Sequence, residues 1–322
     1  MKTKLILLVA GVLVIGVALA AYHYDHPKEN SPPAMRAGHW PRPMPSVPLA
    51  YPPSGDPVLV GAGDIANCRN LAGAEATAKL LETIPGEVFT AGDDAVPSGG
   101  TEEFRDCYGP TWGRFKNRTR PAAGNHEFHA DGASPYFKYF GVAAGDPLSG
   151  YYSYNLGAWH IVVLNSECNL VGGCGHGSTQ ERWLRQDLQS HPATCTLAYW
   201  HRPLFSSGSG HGDYPPVKPF WDDLYAARAT IVINGHDHDY ERFAPQNPDG
   251  KADPSRGIRE FVVGTGGAHQ RPFAAPLQPN SQVRVTSTFG VLKLTLHPRS
   301  YDWTFIPQPG KSFNDAGSGK CQ

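Results

Sequence analysis

Five short apolar runs in this chain each stop at a residue of metal-binding type, and that repetition constrains the fold more than any single motif. Residues 58–61 lead into Gly63-Asp64, 88–91 into Gly92-Asp93, 119–123 into Gly124-Asn125, 196–200 into His201, and 230–233 into Asn234-Gly235-His236-Asp237-His238. Runs of this length bounded by Gly, Asn and Asp read as buried strands. Between them the Ala- and Leu-rich stretch 71–83 and the stretch 220–227 have helical spacing. Ser178-Thr179-Gln180-Glu181 is a capping-box pattern that starts a further helix ahead of Trp183, Leu184 and Leu188. Strands alternating with helices predict an α/β fold, in which ligands gather beyond the C-terminal ends of the strands. Asp64, Asp93, Asn125, His201, His236 and His238 all occupy that position. A buried-looking strand is expected at 159–164. The last third reads as mostly β, at 260–263, 291–296 and 301–306, the final two forming a hairpin.

Each of the six has an ordinary structural reading when taken alone. Gly-Asp after a strand is often a turn, Asn125 is a turn former, and a single His201 would be a surface or core histidine. His236 and His238 weigh more, because imidazole is the commonest metal ligand and two rings two residues apart can enter one cavity where the backbone leaves the strand. Net charge narrows the partners: at -1 there is no broad basic surface to displace counterions from a polymeric nucleic acid, so a small substrate is expected. With 40% hydrophobic and 18% charged residues the chain is globular, and 36 Gly and 30 Pro predict long loops.

Residues 1–21 open with Lys2 and Lys4, continue as an apolar stretch and contain Ala18-Leu19-Ala20, a small-x-small cleavage pattern. They read as a signal peptide or, uncleaved, as an N-terminal membrane anchor. Either way the chain is exported, and Cys68, Cys107, Cys168, Cys174, Cys195 and Cys321 are expected to form three disulfides. Cys168 and Cys174 are close enough to close a small loop, and the lack of a CxxC pair argues against a zinc site. Residues 22–56 are crowded with proline and lack apolar periodicity, which makes them an extended, disordered linker. A folded domain is expected over 57–307, followed by a tail at 308–322.

In chain order the motifs are Gly-Asp-Ile-Ala at 63–66, Gly-Asp-Asp-Ala-Val at 92–96, Gly-Asn-His-Glu at 124–127, Tyr-Trp-His at 199–201 and Gly-His-Asp-His at 235–238. This series resembles the calcineurin-like metallophosphoesterases, and within them the purple acid phosphatases, a likeness supported by Tyr240-Glu241-Arg242 and extending over about 57–306. The resemblance implies an α/β fold of four layers, an αββα sandwich of two mixed sheets flanked by helices. It also implies hydrolysis of phosphate esters at a dinuclear metal centre. By it Asp64 and His238 would hold one ion, Asn125, His201 and His236 the other, and Asp93 would bridge them. His126 would sit near the leaving oxygen and supply a proton or stabilise negative charge there. The residue types suit that task, since a carboxylate can bind two cations, imidazole suits zinc or iron, and the Asn amide adds a neutral oxygen.

The implied reaction is attack of a metal-bound hydroxide on phosphorus, with a phosphomonoester as the first expectation. A phosphodiesterase or nucleotide-cleaving enzyme on the same centre, and a non-catalytic module that keeps the fold, are the alternatives. One departure from the family pattern carries information: the tyrosine that binds ferric iron in purple acid phosphatases is Val96 here. No charge-transfer colour is expected, and two divalent ions, zinc, manganese or ferrous iron, are favoured. His129, His176 and His211 read as solvated loop histidines and Arg202 and Arg242 as braces. Gly264-Thr265-Gly266-Gly267 matches no phosphate-binding fingerprint.

Overall fold

The computed structural model describes residues 55–322, so the expected signal segment at 1–21 and almost all of the proline-rich linker at 22–56 lie outside the described residues. The described chain builds two large mixed sheets. The first runs, edge to edge, through Asp315–Lys320, Ser300–Pro307, Gly290–His297, Val58–Ala62, Glu87–Ala91 and Thr119–Ala122. The second runs through Ser281–Val285, Tyr240–Phe243, Arg259–Val263, Ile231–Asn234, Cys195–Tyr199, Trp159–Val163 and Tyr152–Leu156. The strands that lead to the predicted ligands are parallel neighbours in each sheet. Val58–Ala62 pairs with Glu87–Ala91 and the latter with Thr119–Ala122, while Cys195–Tyr199 pairs with Ile231–Asn234.

Those strands are continuous apolar runs because both of their faces are covered. Leu59, Phe89, Leu292 and Leu294 of the first sheet share one core with Tyr199, Ile231, Ile233 and Phe261 of the second. Helix Ala72–Thr83 adds Ala74, Ala78 and Leu81, one apolar stripe at helical spacing. On the other side, helices Thr179–Ser190 and Lys218–Ala226 set Trp183, Leu184, Phe220, Trp221 and Leu224 against Val162, Ala198 and Val232. Helix, sheet, sheet and helix are the four layers that the resemblance implied. The cap at Ser178 forms with one change: its Oγ accepts from Glu181 N at 3.2 Å, but Glu181 Oε2 accepts from Gly177 N at 2.8 Å, one residue earlier than in a capping box.

The end of the chain corrects the sequence reading. Residues 308–322 are not a tail, because Asp315–Lys320 pairs antiparallel with Ser300–Pro307 and Cys321 is disulfide-bonded to Cys195. This strand is poor in apolar residues because aromatic rings lie over its backbone. A Cβ on Gly317 would come within 2.4 Å of the Trp303 ring, and one on Gly319 within 2.4 Å of the Tyr301 ring. The remaining cysteines pair as Cys68–Cys107 and Cys168–Cys174, the second closing the small loop that the spacing predicted. Among the described residues no helix is long and apolar enough to cross a membrane.

Candidate metal centre

Three of the turns that follow the strands place a non-glycine residue in the left-handed region: Asp64 at φ 59°, Asp93 at φ 55° and His236 at φ 70°. Such a residue costs about 1–2 kcal/mol relative to ordinary backbone, so the surroundings have to impose it. They do so through hydrogen bonds between the turns. Asp64 N donates to Gly92 O at 3.0 Å, Ile65 N to Asp93 O at 2.9 Å, and His236 N to the Asp64 carboxylate at 2.8 Å. Packing is equally tight, since a Cβ on Gly124 would meet Asp93 Oδ1 at 2.3 Å. The turn glycines of the motifs therefore let the ligand loops close on one another.

All six predicted residues meet in one cluster, buried except for the half-buried Asn125. His238 Nε2 lies 3.2 Å from Asp64 Oδ1, an oxygen that is buried and makes no hydrogen bond. His201 Nε2 lies 3.1 Å from Asp93 Oδ2, 3.2 Å from Asn125 Oδ1 and 3.0 Å from His236 Nδ1. The far nitrogens of two rings are tied to backbone carbonyls, His201 Nδ1 to Ala91 O at 2.8 Å and His238 Nδ1 to His269 O at 3.1 Å. A carbonyl only accepts, so each ring donates through Nδ1–H and presents Nε2 inward, the nitrogen open to a metal ion that displaces any proton there. Imidazole nitrogens, carboxylate oxygens and an amide oxygen thus face one another at about 3 Å, a donor set that fits divalent transition-metal ions. One contact competes: Arg202 Nη1 lies 3.1 Å from His236 Nε2, and a ring offering Nδ1 to a cation gives this contact up while Glu167 still holds the guanidinium at 2.6 Å.

The electrostatics of the cluster favour positive charge at its centre. Burial disfavours a charged His201, yet the adjacent Asp93 carboxylate pushes its pKa up to about 10. Burial would likewise raise Asp93, but His201 and His126 hold its carboxyl well below the usual range. His236 is pushed far below its ordinary value by burial and by His201, His211 and Arg202 around it. Asp94, whose orientation the sequence left open, is fully buried beside the cluster, and burial together with Glu127 raises its pKa well above the carboxylate range.

His126 stands at the edge of this cluster. Its backbone N donates to Asp93 Oδ1 at 2.9 Å, its Nδ1 contacts Pro97 O, and its Nε2 lies 3.7 Å from Asp93 Oδ2. His129 packs against it with ring centroids 5.0 Å apart. His211 was read as a solvated loop residue, but its ring stacks on His236 at 3.9 Å. His176 does stay outside, near Glu181 and Asp222. Arg242 is a brace, bonded to Asp315 at 2.7 Å, whereas Arg202 lies against the cluster.

Three residues at the site carried no role in the sequence reading. Glu127 is fully buried and accepts from the backbone N–H groups of Asp93, Asp94 and Gly124. His269 packs on His238 with centroids 4.1 Å apart, and Arg271 bridges His269 and His211. The only signal for Glu127 was its place directly after His126 in the third motif. The other two lie beyond the glycine-rich stretch at 264–267, which had no match.

The model of the calcineurin-like phosphoesterase family matches residues 57–240. Purple acid phosphatase 21 of Arabidopsis thaliana is 27% identical over 282 residues, covering 79% of this chain and 61% of the relative. Purple acid phosphatase 15 of the same plant is 26% identical, covering 81% of this chain and 54% of the relative. The chain thus spans little more than half the length of these relatives. Among solved structures, a purple acid phosphatase from yellow lupin (Lupinus luteus) seeds superposes with a TM-score of 0.67 at 20% identity, over 83% of this chain and 54% of the other. The GAP50 anchor of the inner membrane complex of Plasmodium superposes with a TM-score of 0.65 at 13% identity, over 84% and 90%. With a family model over more than half its length and purple acid phosphatases among its relatives, the chain belongs to the calcineurin-like phosphoesterases.

Proposed function

We propose that this chain is an exported, metal-dependent phosphomonoesterase. The observation that carries this reading is the inward-facing donor set, in which Nδ1 of His201 and of His238 is tied to a backbone carbonyl while Nε2 of each faces a carboxylate. In the proposed centre Asp64 and His238 hold one divalent ion, Asn125, His201 and His236 a second, and Asp93 bridges them. When bound, such a pair neutralises charge on the phosphoryl oxygens and activates a water for in-line attack. Zinc, manganese and ferrous iron suit the donors, and Val96 in place of a phenolate favours divalent ions. Three disulfides suit an oxidising compartment and support export.

His126 is the proposed general acid. With Nδ1 on the Pro97 carbonyl, Nε2 is left to pass a proton to the leaving oxygen. His126→Gln is expected to lower kcat by roughly 10²- to 10⁴-fold, the usual contribution of a positioned acid, and to remove one limb of the kcat pH profile. A variant that keeps both limbs would assign the acid to another residue.

The fold alone does not decide activity, because an anchor protein superposes as well as a phosphatase does. The deciding experiment strips the purified protein of metal, restores zinc, manganese or ferrous iron, and measures bound metal and phosphate release from p-nitrophenyl phosphate and its diester. Two ions per chain and faster cleavage of the monoester are expected. Faster cleavage of the diester would transfer the same centre to diester chemistry. A metal-loaded protein that cleaves neither would leave a binding module.

A further inference from the structure

Two loops beside the proposed centre are zipped together. Ser209 N donates to Pro272 O at 3.0 Å and Ala274 N to Ser207 O at 2.8 Å, with Gly208 and Phe273 forming an antiparallel bridge. The first loop is fastened from below by Asp237, whose carboxylate accepts from Ser206 Oγ at 2.5 Å, His211 N at 3.1 Å and Gly212 N at 3.0 Å. The second is fastened by Arg271 N, which donates to His238 O at 3.2 Å. This rigid rim sets His211 on the ring of His236 and His269 on the ring of His238.

Arg271 spans the rim between them. Its Nη1 lies 2.8 Å from His211 Nε2 and its Nε 3.0 Å from His269 Nε2. A guanidinium only donates, so both ring nitrogens accept and neither imidazole carries charge at those atoms. Among the described residues no carboxylate is bonded to Arg271, and the N–H groups it does not spend on the two rings remain for another acceptor. Arg271 is thus a partly exposed cation with no acidic partner among the described residues, one ring away from either half of the metal cluster, where it can meet an anionic group of a ligand as well as join the two loops.

We propose that Arg271 binds a second anionic group on the leaving side of the substrate, so that the preferred esters are those whose leaving group carries its own phosphate or carboxylate. This rests on the hydrolase reading above. In the reaction the oxygen of water bonds to phosphorus and the P–O bond breaks with its electrons on the leaving oxygen. That oxygen takes a proton from His126, and the leaving group departs with the anion that Arg271 holds.

The test compares the metal-loaded full chain with Arg271→Gln on p-nitrophenyl phosphate, glucose 1,6-bisphosphate and 3-phosphoglycerate. For at least one of the two doubly anionic substrates, kcat/KM relative to that for p-nitrophenyl phosphate is expected to fall roughly ten- to a hundredfold, mainly through KM, as for a lost charge-assisted hydrogen bond. Which of the two loses more identifies phosphate or carboxylate as the group read. Because the ratio is taken within one variant, incomplete folding or metal loading cancels. Arg271→Lys, which keeps the charge, is expected to recover part of it. An equal loss on all three substrates, or none, overturns the assignment. A parent protein inactive on all three sinks the hydrolase reading itself, whereas an active parent with an unshifted ratio sinks only the role of Arg271.

Discussion

Asp93→Asn is expected to abolish two-metal binding, to lower kcat/KM by about a thousandfold or more, and to lower the Tm of the metal-free protein. Asparagine is the informative replacement because it tolerates the left-handed backbone at this position, where φ is 55°, and changes little but the charge. The loss on activity follows from the place of Asp93 in the proposed centre: Oδ2 faces His201 at 3.1 Å and Oδ1 accepts from His126 N at 2.9 Å. Removing the bridge costs the several kcal/mol that bound ions contribute to the transition state, and about 4 kcal/mol is roughly a thousandfold. Stability of the metal-free protein falls as well, since the buried His201 loses the carboxylate that pushes its pKa up to about 10, and relief of the repulsion on Asp94 and Glu127 offsets only part of that loss. Two melting curves separate the effects. Added zinc should raise the Tm of the parent, because an ion that binds only the folded state stabilises it by mass action, and should leave that of Asp93→Asn unmoved. A variant that still holds two ions and works within tenfold of the parent would remove Asp93 from the bridge.

The contrast between what was legible in the sequence and what was not has a physical basis. The six clustered residues were legible because each follows a strand buried on both faces, and such strands are continuous apolar runs that need no partner to be recognised. Where burial is one-sided or the strand lies at an edge, the signal fades. Ser281–Val285 and Asp315–Lys320 contain few large apolar residues, and the second exists because glycines accept the rings of Trp303 and Tyr301. The Gly264–Gly267 stretch binds no phosphate fingerprint because its small residues serve packing: Gly266 N donates to Gly63 O at 2.9 Å and Ala268 N to Asp64 O at 2.8 Å. That seam fixes the path of the chain into His269 and Arg271. Contacts made across 60 residues, such as Arg271 to His211, have no local pattern to announce them.

Glu127→Ala is expected to lower the Tm by about 10 °C and to weaken metal binding, although this side chain touches no metal in the proposed centre. Its carboxylate is fully buried, and it accepts from Asp93 N at 2.9 Å, Gly124 N at 2.7 Å and Asp94 N at 2.9 Å, with Ala95 N at 3.4 Å. It thereby ties the loop of Asp93 to the loop of Asn125. Two effects oppose each other on its removal. Burial and then the Asp93 charge push the Glu127 pKa up to about 7, so deleting the acid relieves some repulsion. Against that, the four buried N–H groups lose their acceptor, the three shorter bonds at roughly 1–3 kcal/mol each. The second effect is the larger, and a net loss of about 4 kcal/mol corresponds to ~10 °C in a domain of this size. Glu127→Gln should fall between the two proteins, because its oxygen can still accept while its NH₂ faces N–H groups that need an acceptor. Calorimetry on metal-free protein isolates the folding contribution, and zinc titration then reads the loosened loops as a raised dissociation constant. If Glu127→Ala melts within about 2 °C of the parent, the N–H groups have found other acceptors and the carboxylate is not what joins the two ligand loops.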